Sequence, residues 1–137
     1  MTKVLRRTAF AAVLVATIGV ASAEDVSVKL TGTEETPPVA TSATGEGKIT
    51  IGKDMSVKGS VKTKGLMGTA AHIHEAPTGK AGPPIITLTQ SGDDTWTVPE
   101  GSKLTEEQYK AFKDGNLYVN VHSAEHKPGE IRGQLKP

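Results

Sequence analysis

The stretch that decides the fold reads KITIGKDMSVKGSVK and covers residues 48–62. Apolar and polar residues alternate in it up to Ile51, and again from Met55 to Val61. Between the two halves lies Gly52-Lys53-Asp54, a combination that is typical of a turn. Neighbouring side chains of a β-strand point to opposite faces, so one face here is apolar and the other carries lysines and serines. The pattern predicts two strands of an antiparallel sheet with one solvated face.

Further segments with the same period of two extend the sheet on both sides of this stretch. Alternating or β-branched runs are found at residues 26–30, 85–88, 95–98, 116–123 and 130–136. About seven short strands separated by turn residues indicate an all-β fold, either a sandwich or a barrel. We predict a Greek-key or immunoglobulin-like β-sandwich with Trp96 largely buried in its core.

One short helix is predicted near residues 105–114. Thr105 is a suitable N-cap, and Gln108 three residues later completes a capping box. Tyr109 and Phe112 fall on one face of this helix, so we expect them to anchor it to the core. Gly115 is a natural terminator.

The first 23 residues have the composition of a secretory signal peptide. Three basic residues within the first seven precede an uncharged, mostly apolar run over residues 9–20, and Ala21-Ser22-Ala23 has the A-x-A form of a cleavage site. A membrane anchor is the alternative, but an anchor needs about 20 apolar residues, more than this run provides. We predict cleavage after Ala23, a single domain over residues 24–137, and a periplasmic or secreted protein without a membrane anchor.

The composition of residues 24–137 excludes several classes of function. These 114 residues include 13 basic and 15 acidic side chains, and this balance gives no basic surface for nucleic acid. The chain has no cysteine, which excludes disulfides, thiolate metal sites and thiol catalysis. It also has no G-x-S-x-G elbow and no P-loop, so no catalytic residues are predicted and a non-enzymatic role is favoured.

All four histidines fall in two short segments, AHIHE at residues 71–75 and HSAEH at residues 122–126. His72 and His74 are two residues apart, so both project from one face of a strand, opposite the apolar Ile73. By the same alternation His122 projects away from the core side of its own strand. Two imidazoles from one strand and a third from a neighbouring strand can converge on one ion.

These residues predict a metal site on the outer face of two strands. We expect His72, His74 and His122 as ligands, with His126 or Glu75 as an auxiliary ligand. An imidazole-rich site without thiolates suits Cu(II), which is highest in the affinity order of divalent ions, and Zn(II) is the alternative. Binding should weaken below about pH 6, because a protonated imidazole cannot ligate.

The competing interpretation of the four histidines is that they are solvated or hydrogen-bonding side chains. The metal hypothesis also requires the two histidine-bearing strands to be neighbours, which spacing alone does not establish. Near the chain's end, Glu130 and Arg132 share one face of a strand, and we interpret them as a surface ion pair.

Four blocks of the sequence together resemble the CHRD domain family, which is named for its occurrence in chordin and is common in exported bacterial proteins. They follow the family's order: LTGTEETPPV (30–39) with TSATG (41–45), AHIH (71–74) with the loop 79–84, NLYVNVHS (116–123), and GEIRGQL (129–135). The resemblance covers residues 28–135 and implies an immunoglobulin-like or Greek-key β-fold. The family often has glycine directly after His-x-His, where this chain has Glu75, and His126 lies in a loop that varies in the family.

The order of a His-x-His strand, a Gly/Pro loop and a later Val-x-Val-His strand is also similar to copper–zinc superoxide dismutase. By that analogy His72, His74 and His122 would hold copper, and Arg132 would attract an anion to it. This chain departs from that enzyme because it has no disulfide and no separate zinc-binding loop. A shared fold does not carry function with it.

The residues leave three functional hypotheses open. The first is an exported copper-binding domain that serves copper storage, delivery or tolerance. The second is a metal-free module that binds a periplasmic or matrix protein through an exposed face or sheet edge. The third is a copper-dependent redox protein of the dismutase type, which requires an open coordination position.

Overall fold

The computed structural model describes residues 11–15 and 22–137. Most of the predicted signal peptide, residues 1–23, therefore lies outside the described residues, and its cleavage stays a prediction. Within the described part of the chain, no helix has the length and apolar character that a membrane span requires.

Strands dominate the described residues, which also contain one α-helix. A single 3₁₀ turn at Gly32–Glu34 follows the first strand. In chain order the elements are β1 (Ala23–Thr31), β2 (Thr44–Gly52), β3 (Val57–Lys64), β4 (Gly68–Glu75), β5 (Pro84–Thr87), β6 (Thr89–Gln90), β7 (Thr95–Thr97), α1 (Glu106–Lys113), β8 (Leu117–Ser123) and β9 (Ile131–Leu135).

The stretch at residues 48–62 forms the antiparallel pair β2–β3, as its alternation predicts. Ile51 lies opposite Val57 across the pair, and both side chains are buried in the core. The intervening lysines are exposed on the other face. One detail of the turn was not predicted: Met55 has a φ of +70°, a conformation that is uncommon outside glycine.

The nine strands of the described residues are hydrogen-bonded into one antiparallel sheet, in the order β5-β4-β8-β9-β1-β2-β3-β7-β6. The two outermost strands, β5 and β6, are consecutive in sequence and are separated only by Leu88. The backbone N–H of Leu88 donates to the carbonyl of Ala71 in β4, at 2.9 Å. Residues 84–90 therefore provide both edge strands of the sheet. The sheet is curled so that its two edges meet there, which gives a nearly closed, barrel-like shape.

The prediction of an all-β fold with one short helix is confirmed. The finer expectation of a Greek-key or immunoglobulin-like sandwich stays a prediction. Of the two shapes that the sequence left open, the barrel describes this single curled sheet more closely.

Helix α1 begins with the predicted capping box. The Thr105 hydroxyl accepts a hydrogen bond from the Gln108 N–H at 3.1 Å, and the Gln108 side chain accepts one from the Thr105 N–H at 2.9 Å. Phe112 is fully buried in the core and Tyr109 is partly buried against it. Trp96 is buried in the same core, as predicted.

Candidate metal centre

The two histidine-bearing strands are direct neighbours. Strands β4 and β8 pair antiparallel, with His72 opposite Asn120, His74 opposite Tyr118, and Ala70 opposite His122. On the other face of β4, Ala71 and Ile73 are fully buried in the core. The adjacency that the metal hypothesis requires is therefore present, and His72 and His74 project from the outer face as predicted.

The three imidazoles converge. Each of His72, His74 and His122 offers a ring nitrogen, and these nitrogens all lie within 4.8 Å of one another. One pair, His72 Nδ1 and His122 Nε2, is 2.9 Å apart. Two nitrogens bound to one ion at about 2.0–2.1 Å are roughly 2.9 Å apart when they are adjacent at a right angle, and about 4.1 Å apart when they are opposite. Small movements of the rings would therefore place all three around one ion.

His74 is held so that one of its nitrogens keeps a free lone pair. Its Nδ1 lies 2.9 Å from the carbonyl oxygen of Gly82, and since a carbonyl only accepts, Nδ1 carries the proton. In the neutral ring Nε2 is then an acceptor. This Nε2 is buried and has no hydrogen-bond partner among the described residues. A buried acceptor without a partner is costly, and a bound metal ion would satisfy it.

His122 is oriented in the same manner. Its Nδ1 donates to the carbonyl oxygen of Lys127 at 2.6 Å, which leaves Nε2 as the acceptor that faces His72. An imidazole that donates one N–H to a backbone carbonyl is the usual arrangement of a metal-binding histidine, because the outer hydrogen bond fixes both tautomer and ring orientation. His72 has no carbonyl partner of this kind in the described part of the chain, and its Nδ1 donates to His122 Nε2 instead.

The site favours neutral imidazoles. Burial lowers the pKa of His72 below its ordinary value of 6.5, and the neighbouring His122 and His74 lower it further. Burial also lowers the pKa of His74, although the hydrogen bond to Gly82 acts in the opposite direction. Both rings are therefore neutral at neutral pH, the charge state that ligation requires. His72 would bind an ion through Nδ1 only after its proton moves to Nε2, because in this structure Nδ1 donates to His122.

The remaining two predicted ligands lie outside the group of converging nitrogens. Glu75 directly follows His74 in β4, so strand alternation directs its side chain to the opposite face. His126 lies in the loop between β8 and β9, where its carbonyl accepts hydrogen bonds from the N–H groups of Ser123 and Gly129. That His126 or Glu75 ligates a metal ion therefore stays a prediction without support from this geometry.

The interpretation of Glu130 and Arg132 as a surface ion pair is wrong, because loops cover this part of the outer face. Both side chains are buried, and they bond to different partners. Glu130 accepts from the hydroxyls of Ser123 at 2.7 Å and Thr41 at 2.8 Å. Arg132 donates to the carbonyl oxygens of Lys80 at 2.7 Å and Pro77 at 3.1 Å.

A polar layer thus lies between the outer face of β8–β9 and the loops over residues 32–43 and 76–83. Its members, buried except for a partly exposed Gln134, are Glu35, Tyr118, Asn120, Arg132 and Gln134. Alternation correctly places the last four on the outer face but does not reveal their burial. One signal was available: from residue 24 onward Arg132 is the single arginine among 13 basic residues, and arginine is the basic residue best suited to a buried, multiply bonded position.

Glu35 makes the stability of this layer depend on pH. Burial raises the pKa of Glu35 above its ordinary value of 4.5, and this outweighs the opposing effects of the Arg132 charge and the Asn120 hydrogen bond. The folded protein therefore holds the proton more tightly than the unfolded chain does. Stability from this group is fully present below about pH 4.5 and is lost as the pH rises through the folded-state pKa.

The variant Glu35→Gln is therefore expected to gain stability relative to wild type as the pH rises from about 4.5 to neutrality, since glutamine cannot ionise. Urea denaturation of both proteins at several pH values across this window measures the difference in free energy of unfolding. A difference that stays constant, or that shrinks toward neutral pH, would contradict the raised pKa.

Comparison with known proteins identifies the family. The model of the CHRD domain family matches residues 26–135. No curated protein and no solved structure matches the chain. The match includes β4, β8 and β9 and both covering loops, and it agrees with the resemblance carried by the four sequence blocks. The chain belongs to the CHRD domain family.

Proposed function

We propose that this CHRD domain binds one copper ion through His72, His74 and His122 and takes part in copper handling outside the cytoplasm. The observation that carries the proposal is the convergence of three ring nitrogens within 4.8 Å, which a bound ion would bridge once the His72–His122 hydrogen bond opens. The export of the protein is inferred from its predicted signal peptide.

The donor set favours copper among the common divalent ions. Three imidazole nitrogens without a thiolate suit Cu(II) and Zn(II), whereas Mg²⁺ and Ca²⁺ prefer oxygen ligands. Copper is highest in the affinity order. His72 and His122 are only partly buried, so an ion held between them would stay accessible for exchange with a donor or an acceptor. Storage or delivery fits such an accessible site.

Calorimetric titration of the purified protein with Cu(II) tests the proposal. We expect saturable binding of one ion per chain, weaker binding of Zn(II), and no binding of Mg²⁺. A protein that binds no Cu(II) under these conditions would reject the copper site and leave the metal-free recognition module as the better interpretation.

The copper affinity should depend on pH in a defined direction. Protons compete with the ion for the imidazole nitrogens. Because the pKa values of His72 and His74 lie below 6.5, we expect the affinity to change little between about pH 8 and 6.5 and to fall at lower pH. Dissociation constants measured in a pH series check this. An affinity that already falls between pH 8 and 7 would indicate a ligand whose pKa is raised, and would contradict this expectation.

A further inference from the structure

The loop over residues 76–83 is bound to the sheet by side chains of β9. Arg132 donates to the carbonyl oxygens of Lys80 and Pro77, at 2.7 and 3.1 Å. Gln134 donates to the carbonyl oxygen of Ala76 at 2.9 Å and also accepts from Arg132 at 3.1 Å. A planar guanidinium can make several such bonds at once in fixed directions, which a lysine ammonium cannot. The buried arginine thus fixes the position of the loop backbone.

The same loop contacts His74 at its far end. The Gly82 carbonyl oxygen accepts from His74 Nδ1 at 2.9 Å, and the Gly82 N–H donates to the Tyr118 hydroxyl at 3.1 Å. The Tyr118 ring is stacked on the His74 imidazole, with ring centroids 4.8 Å apart and an angle of 2° between the planes. The guanidinium carbon of Arg132 lies 3.5 Å from the centroid of the Tyr118 ring. His74 is therefore held at its edge by the loop and at its face by Tyr118.

Gly82 has little freedom to move away from this arrangement. A Cβ at this position would lie 1.8 Å from the carbonyl oxygen of Glu75, so the loop backbone passes in direct contact with the end of β4. The carbonyl that orients His74 is thus fixed by packing on one side and by the Tyr118 hydroxyl on the other.

We propose that Tyr118 and Arg132 are positioning residues of the metal site. They hold the loop over residues 76–83 against the sheet so that the Gly82 carbonyl fixes the tautomer of His74 and leaves Nε2 free for the ion. The inference rests on the proposed copper function, and it adds two residues that do not touch the ion. Groups that orient a metal-binding histidine typically affect affinity by about 10–100-fold.

The variant Tyr118→Phe tests this role with the smallest change, since it removes only the hydroxyl that holds Gly82 and keeps the stacked ring. Tyr109→Phe is the matched control, because Tyr109 is the chain's only other tyrosine and lies on α1, where its ring neighbours Phe112. Two quantities are measured: the Cu(II) dissociation constant, and the protonated nitrogen of His74 in the metal-free protein by ¹⁵N NMR of the imidazoles. The second reports ring orientation and would not respond to a general loss of stability.

We expect Tyr118→Phe to weaken Cu(II) binding by about tenfold and to weaken or remove the protected Nδ1–H signal of His74, with both unchanged in Tyr109→Phe. Arg132→Lys should have the same effects more strongly, provided that its circular dichroism shows it folded. Wild-type affinity together with a wild-type His74 signal in Tyr118→Phe would overturn the proposal. If the wild-type protein bound no Cu(II), the copper function would fail, and the His74 signal alone would still decide whether Tyr118 positions the ring.

Discussion

The variant His72→Ala/His74→Ala is expected to lose specific Cu(II) binding. It removes two of the three converging imidazoles, and with them the buried Nε2 of His74, which has no hydrogen-bond partner in the described structure. If the wild-type site binds with a dissociation constant of about 1 μM, the free energy of about −8 kcal/mol is shared by three ligands, so each lost ligand should weaken binding by roughly 100-fold. The double variant should therefore show no saturable binding in the micromolar range, measured by calorimetry or by competition with a coloured chelator.

His126→Ala is the matched control for this experiment, because it removes a histidine whose side chain lies outside the converging group. Its affinity should equal that of wild type, and circular dichroism should show that both variants fold. If the double variant still binds Cu(II) with the wild-type stoichiometry, the assignment of the site to these histidines is wrong. A large loss in His126→Ala would instead restore the original expectation that this residue is a ligand.

The elements of this fold could be predicted because their signals are local. The alternation over residues 48–62 fixes both the strand type and the face that enters the core, and the Thr105–Gln108 capping box marks the start of α1. The sequence could not show that β5 and β6, which are consecutive along the chain, form the two opposite edges of one curled sheet. This arrangement depends on the hydrogen bond from Leu88 to Ala71, which joins residues 17 positions apart and has no local signature.

The candidate site, like the fold, could be predicted only where its signals are local. A period of two places His72 and His74 on one face and His122 on the outer face of its own strand, and these assignments hold. Pairing of β4 with β8 is a long-range contact, so the spacing of the histidines could not reveal it. The carbonyls of Gly82 and Lys127, which orient two of the rings, could not be predicted either. Every residue carries the same backbone carbonyl, so the sequence does not show which ones will accept from a histidine.

The burial of Arg132 marks the limit of strand periodicity. Alternation states which face of the sheet a side chain occupies but not what covers that face. The covering loops, residues 32–43 and 76–83, have no periodic pattern, and their contacts with Arg132 and Glu130 decide that these charged groups are buried and bonded separately. Expecting solvent on the outer face was reasonable for β1–β3 and wrong for β8–β9.

The variant Gly129→Ala is expected to destabilise the protein by about 3 kcal/mol or more, from two separate causes. Gly129 has a φ of +133°, a conformation that residues with a Cβ rarely adopt. Its added Cβ would also lie 2.3 Å from Glu35 Oε1 and 2.7 Å from Asn120 Nδ2. Both of those side chains are buried, so at least one must shift within the packed layer, and a shift of Asn120 would break its hydrogen bond to the Pro128 carbonyl oxygen. Denaturation with guanidinium measures the loss, and a thermal midpoint lower by roughly 10 °C should accompany it.

Gly101→Ala measures the cost of a positive φ at a position where the added Cβ meets no other atom. Gly101 also has a positive φ, +82°, but a Cβ there would meet nothing within 4 Å, so its cost should be limited to backbone strain of about 1–2 kcal/mol. A clearly larger loss at Gly129 would reflect its less favourable φ of +133° together with the tight packing of the layer around Glu35 and Asn120. Equal losses would contradict that. Since Asn120 lies directly opposite His72 in the β4–β8 pair, a tightly packed layer is what would keep the histidine-bearing strands from shifting, and Gly129→Ala disturbs that layer without any metal.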